Sequence, residues 1–167
     1  MYERLMPSPH TNLDETDAAI IALLQEDGRR PYGEIGEAVG LSEAATRQRV
    51  NRLRESGLMR IVAVTDPVAL GRGVVATIGL RASGDTREVA ARLARIEEIE
   101  YVVVTAGTFD VIAELVCATE EELLGVLNDD IRSIAEVREL QTFMHLRTEK
   151  NVFAWGQRLP EELGAAL

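Results

Sequence analysis

"LSEAATRQRVNRLRESG" (residues 41–57) concentrates positive charge in an otherwise acidic chain: Arg47, Arg49, Arg52 and Arg54 fall in it, while the full sequence carries a formal net charge of −10. The stretch opens on Leu41 and Ser42, a hydroxyl residue suited to capping a helix N-terminus, and closes on Gly57, the residue type that most readily ends a helix. On a helical wheel Thr46, Val50 and Leu53 fall within about 60° of one another and form a narrow stripe for burial. Arg47 and Arg54 flank one side of that stripe, and Arg49 and Arg52 the other. Ala44, Gln48 and Asn51 point away from it. The spacing predicts a helix whose outer face combines small, amide and guanidinium side chains.

The residues before it extend the pattern. "LDETDAAIIALLQEDGRR" (13–30) crowds acidic residues into a first turn, where the helix dipole favours them, and follows with Ile20, Ile21, Leu23 and Leu24 before Gly28. This predicts a helix from about 14 to 27. "PYGEIGEAVG" (31–40) predicts a short second helix that starts at Pro31, pairs Ile35 with Val39 on one face and ends at Gly40, with Gly33 and Gly36 weakening it. Three short helices, the last two joined by the tight "VGLS" connection, make a helix-turn-helix pattern. The β-branched run "LMRIVAVTDP" (58–67) is expected to add a strand, giving the winged form.

Charge is unevenly spread. Residues 1–63 hold 8 Arg against 10 Asp+Glu, residues 64–167 hold 9 Arg and 1 Lys against 18, and residues 44–60 hold five Arg against one Glu. The acidic total argues against a general nucleic-acid coat. A local basic face remains effective, because the Debye length is about 8 Å at physiological salt. Arginine reads guanine bidentately, Asn and Gln read adenine, and the N-terminal half of a recognition helix reaches base edges. These rules nominate Ser42, Glu43, Ala44, Arg47, Gln48, Asn51 and Arg52 for the groove of double-stranded DNA. Arg54, Arg29 and Arg30 are nominated for backbone phosphates. Arg49 stays open between DNA contact and a tie to neighbouring carboxylates.

"TDPVALGRG" (65–73) is turn-rich and reads as a hinge. Beyond it come a strand in "VVATIGLRA" (74–82), a helix in "GDTREVAARLARIEEI" (84–99), strands in "EYVVVTAG" (100–107) and "FDVIAELVCA" (109–118), a helix capped by Thr119 with Glu122 completing a capping box, and a strand in "VRELQTFMHLRT" (137–148). The order βαββαβ predicts a ferredoxin-like unit, and the whole chain an α+β fold. The expected organisation is a flexible arm at 1–12, a winged helix-turn-helix at 13–63, a linker at 64–73, the ferredoxin-like domain at 74–150 and a C-terminal extension at 151–167, read as a helix added to an oligomer interface. Such a sheet has helices on one face only. Val102–Val104 and Val111–Ala113 are apolar on both sides, which points to sheet-to-sheet dimerisation rather than a plain buried strand.

Other functions find little support. No apolar run approaches the roughly 18 residues of a membrane helix, and the first residues lack the apolar core of a secretory signal. The single Cys117 fits a reducing compartment and, mid-strand, a packed core. The expected location is the cytoplasm. His10 and His145 have no metal-ligand or triad partner at a recognisable spacing, and no P-loop or dinucleotide fingerprint is present. Neither catalysis, a cofactor nor a metal is expected. The second reading is a sensing and assembly module without DNA binding.

"LDETDAAIIALLQEDGR", "GLSEAATRQRVNRLRESGLM", "DPVALG", "VVVTAGTFDVIAEL" and "LQTFMHL" together resemble the Lrp/AsnC (leucine-responsive/asparagine regulator) family of transcription factors over roughly residues 13–150. The resemblance implies an N-terminal winged helix-turn-helix and a C-terminal ferredoxin-like amino-acid-sensing domain. It also implies homodimers that assemble into octamers or other rings. It further implies an effector pocket at the second hairpin, which maps here to Ala106, Gly107, Thr108, Phe109 and Asp110, with Thr142 and Met144 of the final strand on the opposite wall. Gly107 allows close backbone approach, neighbouring N–H groups suit a carboxylate, and Asp110 suits an α-ammonium group. The other reading of Asp110 is a turn acid that bonds backbone. Two features depart from the family pattern: Glu43 stands where many members have proline or a small residue, and Arg60-Ile61-Val62 replaces the usual Gly-Tyr of the wing.

Overall fold

The computed structural model describes residues 13–151, so the expected arm at 1–12 and the extension after 151 lie outside the described residues. The chain divides into two compact units between Ala63 and Val64.

The first unit is built from helices α1 (Glu15–Glu26), α2 (Tyr32–Val39) and α3 (Glu43–Glu55). Asp14 caps α1 by accepting a 2.7 Å hydrogen bond from the Asp17 N–H. Ser42 caps α3 by accepting from the Ala45 N–H at 3.2 Å. Gly40 and Gly57, at φ +71° and +76°, supply the left-handed turns that end α2 and follow α3. Ile20, Leu23, Ile35, Val50 and Leu53 are fully buried and form the core. Thr46 is buried with them and returns its hydroxyl to the Ser42 carbonyl.

Gly36 corrects the sequence reading. It does not merely weaken α2; a Cβ there would lie 2.6 Å from the Leu41 carbonyl oxygen and 3.0 Å from Thr46 Oγ1. The tight α2–α3 turn, closed by Leu41 N–H on Gly36 O at 2.8 Å, requires the bare backbone. The wing needs a second correction. Residues 59–65 carry neither helix nor strand, and Ile61, Val62 and Val64 are exposed. A β-branched run becomes a strand only against a ladder partner, and none is present among the described residues.

The second unit runs β1 (Val74–Ala82), α4 (Thr86–Leu93), β2 (Ile99–Val104), β3 (Val111–Cys117), α5 (Glu120–Gly125), a π-helical turn (Val126–Ile131) and β4 (Val137–Met144). The sheet order is β2-β3-β1-β4, with every neighbouring pair antiparallel. This is the expected βαββαβ arrangement. The helix anticipated over 119–134 is interrupted because its backbone widens: Arg132 N–H bonds Leu127 O, five residues back, and Val126 and Ile131 both reach the core. Thr119 caps α5 through its side chain, while Glu122 Oε2 accepts from Ala118 N–H at 2.6 Å.

Strand register sorts the two sheet faces. Ala76, Ile78 and Leu80 of β1 pair across to Leu115, Ala113 and Val111 of β3, and all are buried under the helices with Val89, Leu93 and Ile131. The other face carries Val75, Thr77, Gly79, Ile112, Val116, Tyr101, Val103 and Phe143 by the same alternation. Tyr101 and Phe143 are exposed there.

Candidate nucleic-acid interface and effector site

The four arginines of α3 have different local environments. Arg49 donates to Asp14 Oδ2 at 2.6 Å and to Asp17 Oδ1 at 2.8 Å. Arg52 donates through Nη2 to both oxygens of Asp17, at 2.8 and 2.6 Å. Asp17 itself is only 1% exposed, so one buried carboxylate of α1 holds two arginines of α3. Hydrogen bonds between such ionised groups are roughly twice as strong as neutral ones. The open question over Arg49 resolves toward structure: its side chain is largely covered. Arg52 is also engaged, yet its side chain remains more than half exposed.

Arg47 takes a third arrangement. It donates to Glu43 Oε1 at 2.6 Å, and its guanidinium carbon lies 5.2 Å from the centroid of the Tyr32 ring. Arg54 is exposed and makes no ion pair among the described residues. Ser42, Ala44, Gln48 and Asn51 are all exposed on α3, as expected. Near the end of α1, Arg29 is exposed, and Arg30 lies 3.4 Å from Glu26 Oε2. The Arg49 hydrogen bond, with help from the Asp17 N–H, holds the Asp14 carboxyl below the usual carboxylate range. The side-chain carboxylates of Asp14 and then Asp17, which accept from Arg49, raise it above its ordinary value.

The second hairpin contains Ala106, Gly107 and Thr108 at an exposed bend, with Phe109 and Asp110 partly buried beneath it. Asp110 Oδ2 accepts from the Ala82 N–H at 2.9 Å, and the Asp110 N–H donates to Leu80 O at 2.8 Å. Thr105 Oγ1 donates to Phe109 O at 2.6 Å, and Arg81 Nε donates to Thr108 O at 2.8 Å. The hairpin is thereby stitched to β1. The ring of Phe109 lies over Gly79, where a Cβ would come within 2.5 Å of it, and meets Phe143 edge-on at 6.2 Å. Phe109 is therefore on the face away from the helices. Thr142 and Met144 register with Ile78 and Ala76, on the helix side of the sheet. The structure does not bring them to the Phe109 side; Gln141 and Phe143 occupy the corresponding positions there.

A family model for the AsnC-type helix-turn-helix domain matches residues 13–54, and one for a C-terminal dimeric alpha+beta barrel domain matches residues 83–158. The HTH-type transcriptional regulator FL11 of Pyrococcus abyssi is 39% identical over 141 residues, covering 83% of this chain and 93% of that protein. The chain belongs to the Lrp/AsnC family of transcriptional regulators. Among solved structures, a Neisseria meningitidis transcriptional regulator in complex with L-methionine matches with a TM-score of 0.77 at 25% identity, over 86% of this chain and 96% of that one. A feast or famine regulatory protein of Mycobacterium tuberculosis complexed with L-methionine matches with a TM-score of 0.76 at 28% identity, over 89% and 99%.

Two residues that hold the α3 arginines are not apparent from the sequence. Asp17 was grouped with the first-turn acids, although it lies three and four residues before Ile20 and Ile21 and so on their buried face. Tyr32 carried no signal, because its contact with Arg47 depends on how α2 crosses α3.

Proposed function

We propose that the chain is a sequence-specific DNA-binding regulator that presents α3 to the major groove and responds to a small effector, an amino acid, bound near residues 106–110. The observation that carries the DNA reading is the sorting of α3. Asp17 pins it through Arg49 and Arg52, while Ser42, Glu43, Ala44, Arg47, Gln48 and Asn51 face outward and Arg54 stands ready for phosphate. Arg29 and Arg30 add phosphate contacts from the end of α1. The acid excess of residues 64–167 favours the alternative of an assembly module that does not bind DNA. Titration of a duplex in rising salt decides between them. Arg47→Ala, Arg52→Ala and Arg54→Ala are each expected to weaken binding and to lower the salt slope by up to about 1. Unchanged affinity and slope in all three would remove the DNA role.

For the effector, Asp110 has one oxygen on the Ala82 N–H and offers the other to an ammonium group. Phe143 and Gln141 replace Thr142 and Met144 as the proposed wall from β4. The relatives solved with L-methionine support an amino acid as ligand. Asp110→Asn keeps an acceptor for Ala82 and removes the charge, so it separates ligand binding from hairpin stability. A thermal-shift screen of the twenty amino acids should find a stabilising ligand in the native chain and none in Asp110→Asn. The exposed Tyr101 and Phe143 support homodimers joined through the open sheet face, with further assembly into an octamer or other ring. The reading is non-catalytic and cytoplasmic.

A further inference from the structure

We propose that Glu43 and Arg47 act as one unit that reads a single G·C base pair in one orientation. This rests on the DNA-reading role of α3 proposed above. Both residues lie in the first five positions of α3, the part of a recognition helix that reaches base edges. Their side chains remain 59% and 58% exposed even while bonded to each other at 2.6 Å. The Tyr32 ring of α2 lies beside the Arg47 guanidinium and restricts where that group can point.

The chemistry of this pair has a direction. Arginine carries five N–H donors, so Arg47 keeps at least two after donating to Glu43, and the Glu43 carboxylate is acceptor-only. Along the major groove the pair presents donor, donor, acceptor. A G·C pair, taken from the guanine side, presents N7 acceptor, O6 acceptor and the cytosine N4 donor. The two patterns are complementary. An A·T pair presents acceptor, donor, acceptor, which sets an arginine N–H against the adenine amino group. A reversed C·G pair places its donor where the guanidinium would lie. The proximity of Glu43 and Arg47 matches the adjacency of O6 and N4, which bond each other across the base pair. A carboxylate alone would be repelled by the phosphates, and Arg47 neutralises it. Glu43, the residue that departs from the family pattern, thus becomes a determinant of base choice.

The test is selection of binding sites by the full chain from a randomised duplex pool. Affinities are then measured at one fixed salt for the selected site and for versions with each G·C pair exchanged to A·T. Native protein is expected to select one invariant G·C pair per half-site and to lose about tenfold in affinity on exchange. In Arg47→Ala that loss should shrink to within about twofold, and in Glu43→Ala it should fall severalfold. Arg54→Ala should weaken every site equally and leave the loss intact. An exposed i,i+4 ion pair contributes little to folding, so melting curves of both variants should overlay the native one. Native chain that binds no duplex would overturn the DNA role and this assignment together. Binding with an exchange loss unaltered in Arg47→Ala and Glu43→Ala would overturn the assignment alone. So would tighter binding by Glu43→Ala with unchanged base preference, since Glu43 would then act only by repulsion.

Discussion

The two units fasten their secondary structure by different means. In the second, the sheet and its helices meet through a core that is apolar throughout, from Ala76 and Ile78 to Leu115, Cys117 and Ile131. In the first, the apolar core is smaller, and α3 contributes only Val50 and Leu53 to it beside buried Thr46. The buried Asp17 carboxylate adds a charged fastening through Arg49 and Arg52. A helix whose outer face is given over to arginine and amide side chains has few positions left for apolar packing. Ion pairs at the edges of the stripe then hold what the stripe alone cannot.

The largest expected effect breaks the apolar side of this contrast. Leu115→Ala should destabilise the second unit by about 3 kcal/mol, through lost burial and the cavity left behind. Hydrogen exchange should show β1 and β3 losing protection while α1–α3 keep theirs. Asp17→Ala should cost the first unit about 2 kcal/mol, because two arginines lose a charged acceptor. Protection should fall in α1 and α3 and not in the sheet, and a loss confined to the sheet would reverse the assignment. Gly79→Ala should cost about 1–2 kcal/mol by displacing the Phe109 ring. Adding Phe109→Leu should recover part of that cost in thermal melts.

The smallest effect appears in acid. Asp14 is lowered mainly by the Arg49 hydrogen bond, and Asp85, which caps α4, is lowered from 3.8 to about 2, mainly by the Arg87 side chain. A carboxyl with a depressed folded value stabilises above its unfolded value and loses that contribution as pH falls through the folded one. Both units should therefore keep these contributions at neutral pH and lose them below pH 3.8, Asp85's persisting until about pH 2. Asp14→Asn should flatten the acid response of α1 and α3 in exchange measurements and leave that of α4 unchanged.

Much of the fold was legible because its signals are local. Ser42 and Gly57 bracketed α3, Thr46, Val50 and Leu53 named its buried stripe, and the spacing of apolar runs produced the βαββαβ order. What escaped depends on residues far apart in the chain. Arg49 could not be assigned without its partners, 32 and 35 residues upstream. The strand expected after α3 had the right composition, but pairing is decided by a neighbour and not by the run itself. In β4 the alternation was available, yet Thr142 and Met144 were placed by resemblance, and the register gives the Phe109 side of the sheet to Gln141 and Phe143 instead. Gly36 looked like a weak point because helix propensity is local, whereas its need arises from Leu41 and Thr46.

The shared carboxylate at Asp17 also bears on how this interface changes over generations. With two arginines on one acceptor, losing Arg52 leaves Arg49 still bonded to Asp17 and to Asp14. The two losses should not add, since residues in one hydrogen-bond network couple. Position 52 is thus buffered: it can vary while the anchorage of the helix through Arg49 survives. Redundancy beneath the surface leaves the proposed DNA-facing side of the helix free to change above it.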